Sequence, residues 1–267
     1  MNRRTAFLPL ALVAALSVVL AACNATPAAT NAPALTDPRD IVAKGAASMA
    51  DVSTFEFTTS FRGSLDAPGV GAFDLSPTTI AGAVDVRNGA ARLSLDAPTI
   101  LGTRLEAIVV GGSAYYKVAG ALAAMLPGSA DRYTKVAVPA LPAVPGLPAS
   151  GAPLAAADMA ALLQQVQAGL ALLPAPPTKA ADEQCGDLEC YHVTLGLTGD
   201  QLQALDPSAN LTGTASVDVW TRKLDYRPAK ISIGVVSPDA GSFGMTTELR
   251  YDVEVSIAAP PPDQIAP

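Results

Sequence analysis

Apolar and polar residues alternate one for one along most of the chain beyond position 53. In 54–61, Phe55, Phe57 and Phe61 share one side of an extended backbone, while Glu56, Thr58 and Ser60 share the other, as in a half-buried strand. The same period runs through 78–87, 90–97, 103–110 and 113–118. Asn88-Gly89 and Gly111-Gly112 separate two of these pairs and read as tight two-residue turns, because both dipeptides accept positive φ readily. The spacing predicts an antiparallel meander. A second set follows at 211–220, 229–236 and 242–257, the last carrying Met245, Thr247, Leu249, Tyr251, Val253, Val255 and Ile257 on one side.

Three stretches carry a helical period instead. Asp37-Pro38-Arg39-Asp40 supplies a capping carboxylate, a proline at the first helical position and an acid for the positive helix end, so a helix should run from there to about residue 50. From 154 to 173, Met159, Leu162, Leu163, Val166, Leu170 and Leu173 form one apolar stripe. A short helix over 198–205 should stop at Asp206-Pro207. A helix, a long meander, two further helical stretches and then more strands follow one another, and the expected fold class is α+β.

The N-terminus reads as an export signal. Arg3 and Arg4 precede an apolar stretch over 8–20, which is too short for an ordinary membrane span. It closes on Leu20-Ala21-Ala22-Cys23, the pattern of a bacterial lipobox, in which the Cys23 thiol takes a diacylglyceryl group before cleavage. This organisation gives a signal peptide at 1–22, an Ala/Pro/Thr tether at 23–36, one domain at 37–259 and a Pro-rich tail at 260–267. It places the mature chain outside the cytoplasm, held to the cell membrane by an acylated, palmitate-type anchor on Cys23. Export also puts Cys185 and Cys190 in an oxidising compartment, where four intervening residues headed by Gly-Asp allow a small-loop disulfide. The rival is a metal site of Cys185, Cys190 and His192, which offers three ligands at most.

Composition narrows the function. The 267 residues hold 24 Asp+Glu against 17 Lys+Arg and a single His, with no basic run, so phosphate-backbone contacts to nucleic acid are disfavoured. No nucleotide loop or His-based constellation is present, and no cofactor is implied. Gly-Gly-Ser at 111–113 sits at a hairpin turn without the strand-turn-helix context of a nucleophile elbow, and the acids Asp182 and Glu183 read as a solvated loop, so no enzyme activity is expected. Prolines recur every third residue at Pro139, Pro142, Pro145 and Pro148, a spacing that matches the three-residue turn of polyproline II.

Five stretches remain, namely Ser53-Thr54-Phe55-Glu56-Phe57, the run Ile108-Val109-Val110-Gly111-Gly112-Ser113-Ala114-Tyr115-Tyr116-Lys117, Cys190-Tyr191-His192-Val193, Val219-Trp220-Thr221 and Arg227-Pro228-Ala229-Lys230-Ile231. Together they resemble the LppX/LprAFG group of lipoproteins, whose fold is similar to LolA and LolB. None is a catalytic motif, and the Pro-rich run departs from that group. The resemblance implies a strongly curved antiparallel sheet, a half-open barrel, with helices packed on its concave face and acyl chains of a lipid or glycolipid in the cleft. It also implies membrane contact through the anchor and an envelope transporter as partner. Strand parity and helical spacing then nominate Phe55, Phe57, Phe61, Leu105, Val109, Leu162, Val166 and Leu170 as the wall of such a cleft. A second reading stays open at this point, a non-catalytic envelope lipoprotein using the same sheet for protein contact or sensing.

Replacing Cys23 with Ala is expected to leave an unprocessed precursor absent from the lipid-labelled fraction. Metabolic labelling with a radioactive fatty acid checks this, and a labelled mutant refutes the anchor.

Overall fold

The computed structural model describes residues 34–67, 71–120, 123, 131–137, 175–201, 213–238 and 241–266. The signal segment, Cys23, the polyproline-like run and the apolar stripe carrying Leu162, Val166 and Leu170 lie outside the described residues.

Helix α1 (Pro38–Ser48) starts as its sequence dictates. Asp37 accepts a hydrogen bond from the Arg39 backbone N–H at 2.8 Å, with Pro38 and Asp40 in the first turn. A 3-10 turn, Met49–Asp51, then leads into the first strand. The strands are β1 (Thr54–Ala67), β2 (Gly71–Asp74), β3 (Thr79–Asp85), β4 (Ala90–Ala97), β5 (Thr103–Val110), β6 (Ser113–Ala119) and β7 (Thr134–Ala137) in the first half. The second half holds β8 (Thr178–Lys179), β9 (Glu183–Cys185), β10 (Leu188–Thr198), β11 (Thr214–Arg222), β12 (Pro228–Ser237) and β13 (Gly241–Tyr251).

All of them join one sheet of 13 strands in the order β7-β6-β5-β4-β3-β1-β13-β12-β11-β10-β8, with β2 on β1 and β9 on β10. Every pairing between these strands is antiparallel. The sheet is therefore two meanders of neighbouring hairpins fused along β1 and β13, where Phe55 faces Tyr251 and Phe61 faces Met245. The path does not close on itself, since β7 and β8 stand at its two ends.

Helix α1 lies against β10 and β11. Ile41 is fully buried there with Tyr191 and Val193, and Leu35, Val42 and Tyr226 pack around them. Gly45 faces Thr221, whose hydroxyl would stand 3.5 Å from a Cβ at that position, so the helix sits close on the strand. Leu35 N–H donates to the Tyr191 hydroxyl at 3.2 Å and ties the segment before the helix to the same spot.

The strand expectations hold for β1, β3 to β6 and β11 to β13, and the Gly111-Gly112 turn has two residues, both at positive φ, 57° and 71°. Other details differ. The connection at Asn88-Gly89 is longer, four residues between Asp85 and Ala90, because the Asp85 carboxylate takes both the backbone and side-chain N–H of Asn88 at 3.1 and 2.6 Å. The last strand ends at Tyr251 rather than 257, since Asp252 adopts φ 55° and the neighbouring β1 begins at Thr54, leaving nothing upstream to pair. Of the two acids, Asp182 keeps the exposed loop position expected of it, whereas Glu183 does not lie in a loop. Glu183 opens β9, and Asp182 faces Lys179 and Lys223, because the short β9–β10 hairpin folds back over the sheet.

The 198–205 helix begins as expected within the described residues, where 199–201 are helical. Thr198 N–H donates to Gln201 Oε1 at 2.9 Å while Gln201 N–H reaches the Thr198 hydroxyl at 3.4 Å, a reciprocal capping box. The C-terminal segment is docked rather than loose. Tyr133 N–H donates to the Gln264 carbonyl at 2.7 Å and Ala266 N–H to the Tyr133 carbonyl at 2.8 Å.

Gly82 in β3 has the Phe57 ring laid across it, and a Cβ there would stand 2.5 Å from two ring carbons and 2.9 Å from the Arg92 carbonyl. Gly82→Ala is expected to lower stability by about 1–3 kcal/mol through this overpacking, read as a lower urea midpoint at unchanged slope.

Candidate functional site

The registers assign every strand residue to one of two faces, because side chains alternate with period two. Following them from β1, Phe55, Phe57 and Phe61 share a face with Leu249 and Met245 of β13 and with Ile231 and Ile233 of β12. Beyond β12 the same face continues through Val217 and Val219 to Val193 and Leu195. In the other direction it runs through Ile80 and Val84, Leu93 and Leu95, then Leu105 and Val109, to Ala114 and Val118. No Asp, Glu, Lys, Arg or His falls on this face over the paired residues from β6 across to 191–197 of β10.

Five of the eight residues nominated for a lipid wall, Phe55, Phe57, Phe61, Leu105 and Val109, are thus brought onto one face. Leu162, Val166 and Leu170 lie outside the described residues. The five are half-buried, neither sealed like Ile41 nor open like an ordinary surface position. Aromatic rings line the seam of the two meanders, with Phe55 6.4 Å from Phe57 and from Tyr251, and Phe61 5.9 Å from Phe243, centroid to centroid. One polar pair is set among them, the hydroxyls of Thr59 and Thr247, which bond each other at 2.9 Å and so need no water. Tyr251 closes the row. Burial pushes its phenol up to about 12, against the pull of the Arg222 and Arg227 guanidinium groups over its ring, and its hydroxyl donates to the Pro228 carbonyl at 2.8 Å.

The opposite face carries the charge. His192 is stacked on Trp220 at 4.3 Å and 14°, and Lys230 covers the other side of the indole at 3.7 Å. The imidazole is held edge-on between Glu183 Oε1, 2.9 Å from Nδ1, and Asp218 Oδ1, 3.0 Å from Nε2, while Trp220 Nε1 donates to Glu183 Oε2 at 2.9 Å. The hydrogen bond from Trp220 and the neighbouring His192 hold the Glu183 carboxyl below its usual range. Both ring nitrogens of His192 are occupied by carboxylates, so neither serves as a base toward a nucleophile. Cys185 and Cys190 are bonded to each other with Cα atoms 6.0 Å apart, which leaves no thiolate to join His192 at a metal. Sequence reasoning misses this cluster, since Glu183 reaches it only through the fold of the β9–β10 hairpin. The one signal is the disulfide spacing that shapes that hairpin.

Near the β7 end, Glu106 receives hydrogen bonds from Lys117 at 2.9 Å and from the Tyr133 hydroxyl at 2.8 Å. Lys117 also lies 4.7 Å from the centre of the Tyr133 ring. These contacts fix the residue whose backbone holds the C-terminal segment.

No known family profile matches the sequence, and no curated protein does. The structure is similar to solved lipoprotein structures. The Mycobacterium tuberculosis lipoprotein LppX is 10% identical over 83% of this chain and 98% of its own, with a TM-score of 0.45. LprF from Mycobacterium bovis is 11% identical over 84% and 96%, with a TM-score of 0.46. MucB of Pseudomonas aeruginosa in its MucA complex is 13% identical over 86% of this chain and 60% of that one, with a TM-score of 0.37. Among the described residues no helix is long and apolar enough to cross a membrane.

The hydrogen bond from Lys117, and after it that from Tyr133, holds the Glu106 carboxyl below its ordinary value. A carboxyl depressed by folding stabilises the protein above its unfolded pKa and loses that contribution as pH falls through the folded one. Wild type should therefore exceed Glu106→Gln in stability at pH 7 by less than about 1 kcal/mol, because the carboxylate is half exposed. The two should converge as pH falls through the lowered folded value of the carboxyl, measured by urea unfolding at a series of pH values from neutral into the acid range. A gap of constant width refutes the assignment.

Proposed function

We propose that the chain is an extracytoplasmic lipoprotein, tethered through lipidated Cys23, that receives the acyl chains of a lipid or glycolipid on its uncharged sheet face. From there it carries or presents them in the cell envelope, with an envelope transporter as its partner. The observation that supports this reading is the face itself. From β6 across to β10, adjoining strands present only apolar, hydroxyl or glycine positions in register, and the large side chains of the central seam stay half-buried. A soluble domain ordinarily confines such an area to its interior or offers it to an apolar ligand.

The energetics are adequate without any catalytic or metal group. Each methylene withdrawn from water is worth about 0.8 kcal/mol, so an acyl chain of ordinary length offers several kcal/mol against the entropy of ordering it. The bilayer offers the same gain, and the exchange between protein and membrane is close to balanced. A tethered carrier of this kind loads and unloads by mass action. A curved sheet, with helices on the same side as the ligand, would set the depth of the site. Helix α1, already seated on β10 and β11, is the described element that borders it.

Val109 tests the reading because its cross-strand neighbours on the face are both alanines, Ala91 and Ala114. In a carrier, Val109→Trp fills space that acyl chains need. The expected result is a Tm, measured after delipidation, equal to wild type, together with loss of lipid detected by native mass spectrometry and solvent extraction. In a filled domain the same change overpacks by about 1–3 kcal/mol and lowers Tm by several degrees, with no lipid to lose. That second outcome overturns the carrier.

A further inference from the structure

The charged face of the sheet carries a furrow that the lipid reading does not use. Register aligns Arg62, Gly244, Gly234, Ser216 and Gly196 in one row across β1, β13, β12, β11 and β10. A cavity of about 650 Å³ runs along this row, within the range of about 300–1,000 Å³ typical of small-molecule sites. From β13 to β10 the row spans roughly 14 Å at the usual strand spacing of about 4.8 Å.

Three glycines in strand interiors call for a reason, since glycine loses more backbone freedom on folding than alanine and packs no side chain. None of Gly196, Gly234 and Gly244 has positive φ, so backbone conformation does not require them. Gly244 makes room for Arg62, whose Cγ and Nε would stand 2.8 and 2.9 Å from a Cβ there. Gly234 makes room for the Ser216 hydroxyl, 2.9 Å from the same hypothetical atom. At Gly196 a Cβ would enter open space. A strand glycine that neither packing nor φ demands marks a place where something else approaches the backbone.

The polar groups around the furrow define what approaches. Its floor is strand backbone whose N–H and C=O groups are spent in the sheet ladders, which leaves little for a peptide to pair with. Its flanks offer the hydroxyls of Ser216, Ser242 and Thr214, each able to donate and accept, and that of Ser232, which also shares a hydrogen bond with Thr246 at 3.2 Å. Asp218 stands at the side, one carboxylate oxygen held by His192 and the other with no hydrogen-bond partner among the described residues. Arg62, folded along Gly244, has no acidic partner among the described residues and supplies one unbalanced cation suited to a phosphate. We infer that this furrow binds a phosphorylated sugar, with the phosphate on Arg62 and the sugar hydroxyls along the Ser and Thr flanks and over the open floor at Gly196. The site lies on the face opposite the proposed lipid wall and stands or falls independently of it.

The test uses the purified chain and four probes, namely glucose 6-phosphate, lactose 1-phosphate, lactose and inorganic phosphate, in titration calorimetry. Saturable binding of a sugar phosphate, at least ten-fold tighter than either lactose or inorganic phosphate, is expected. Gly196→Val should weaken it ten-fold or more while Tm stays equal or rises, because valine favours strands and its Cβ meets nothing. Arg62→Gln should erase the preference for lactose 1-phosphate over lactose. Flotation with phosphatidylcholine vesicles, with and without phosphatidylinositol, distinguishes the source of the group. Inositol-dependent flotation that Gly196→Val abolishes assigns the sugar phosphate to a lipid head group, and its absence assigns a free or glycan-borne one. No saturable binding of either sugar phosphate, or a Gly196→Val chain that binds as wild type does, overturns the inference.

Discussion

Register is the constraint on which the rest of the molecule depends. In a period-two backbone a slip of one residue moves every side chain of a strand to the other face, so a uniform face across many strands exists only while each pairing holds. From β6 through β1 to β10 the partners follow one another without interruption, apart from a single shift between Trp220 and Thr221. That shift leaves Ala229 without a partner on β11, near the strand ends where Tyr251 packs. Strong alternation on most strands and short hairpin turns make this accuracy cheap in sequence terms. The result is a sheet whose two sides have different chemistries, apolar on one and hydroxyl-rich and charged on the other.

Legibility follows the same logic. Where eight residues lie between turn signals and alternate, as in β4 and β5, the sequence alone locates the strand and its faces. Alternation by itself groups Phe55, Phe57 and Phe61 with Leu105 and Val109, because no bulge intervenes between β1 and β5. The short strands β2, β8 and β9 are not legible. Two to four residues are too few to show a period, and these pair only because a longer neighbour presents an open ladder. The overshoot at the end of β13 has a related cause, since alternation continues through Val253, Val255 and Ile257 while the partner strand has already begun. Pairing needs two strands, and a single sequence window sees one.

The polar cluster of Glu183, His192, Asp218 and Trp220 belongs to a third category. Its members come from three strands, and their convergence follows from the hairpin closed by Cys185 and Cys190. Residue types alone hint at metal or acid–base chemistry, yet the geometry consumes both imidazole nitrogens and both sulfurs in internal contacts. The row of glycines on the same face is equally invisible in the sequence, since Gly196, Gly234 and Gly244 come from three different strands and only register aligns them.

The seam between the two meanders has a temporal consequence. Within each half, every strand pairs with a neighbour made shortly before or after it, whereas the seam joins residues such as Glu56 and Arg250 that are 194 positions apart. Local hairpins form early, and the long-range closure waits for the last strand. A chain made N-terminus first can therefore assemble β1 to β7 but not the centre of its own sheet. Until β13 is complete, the Phe55, Phe57 and Phe61 edge has no partner on one side, and the chain remains short of its committed fold for nearly the whole of its synthesis.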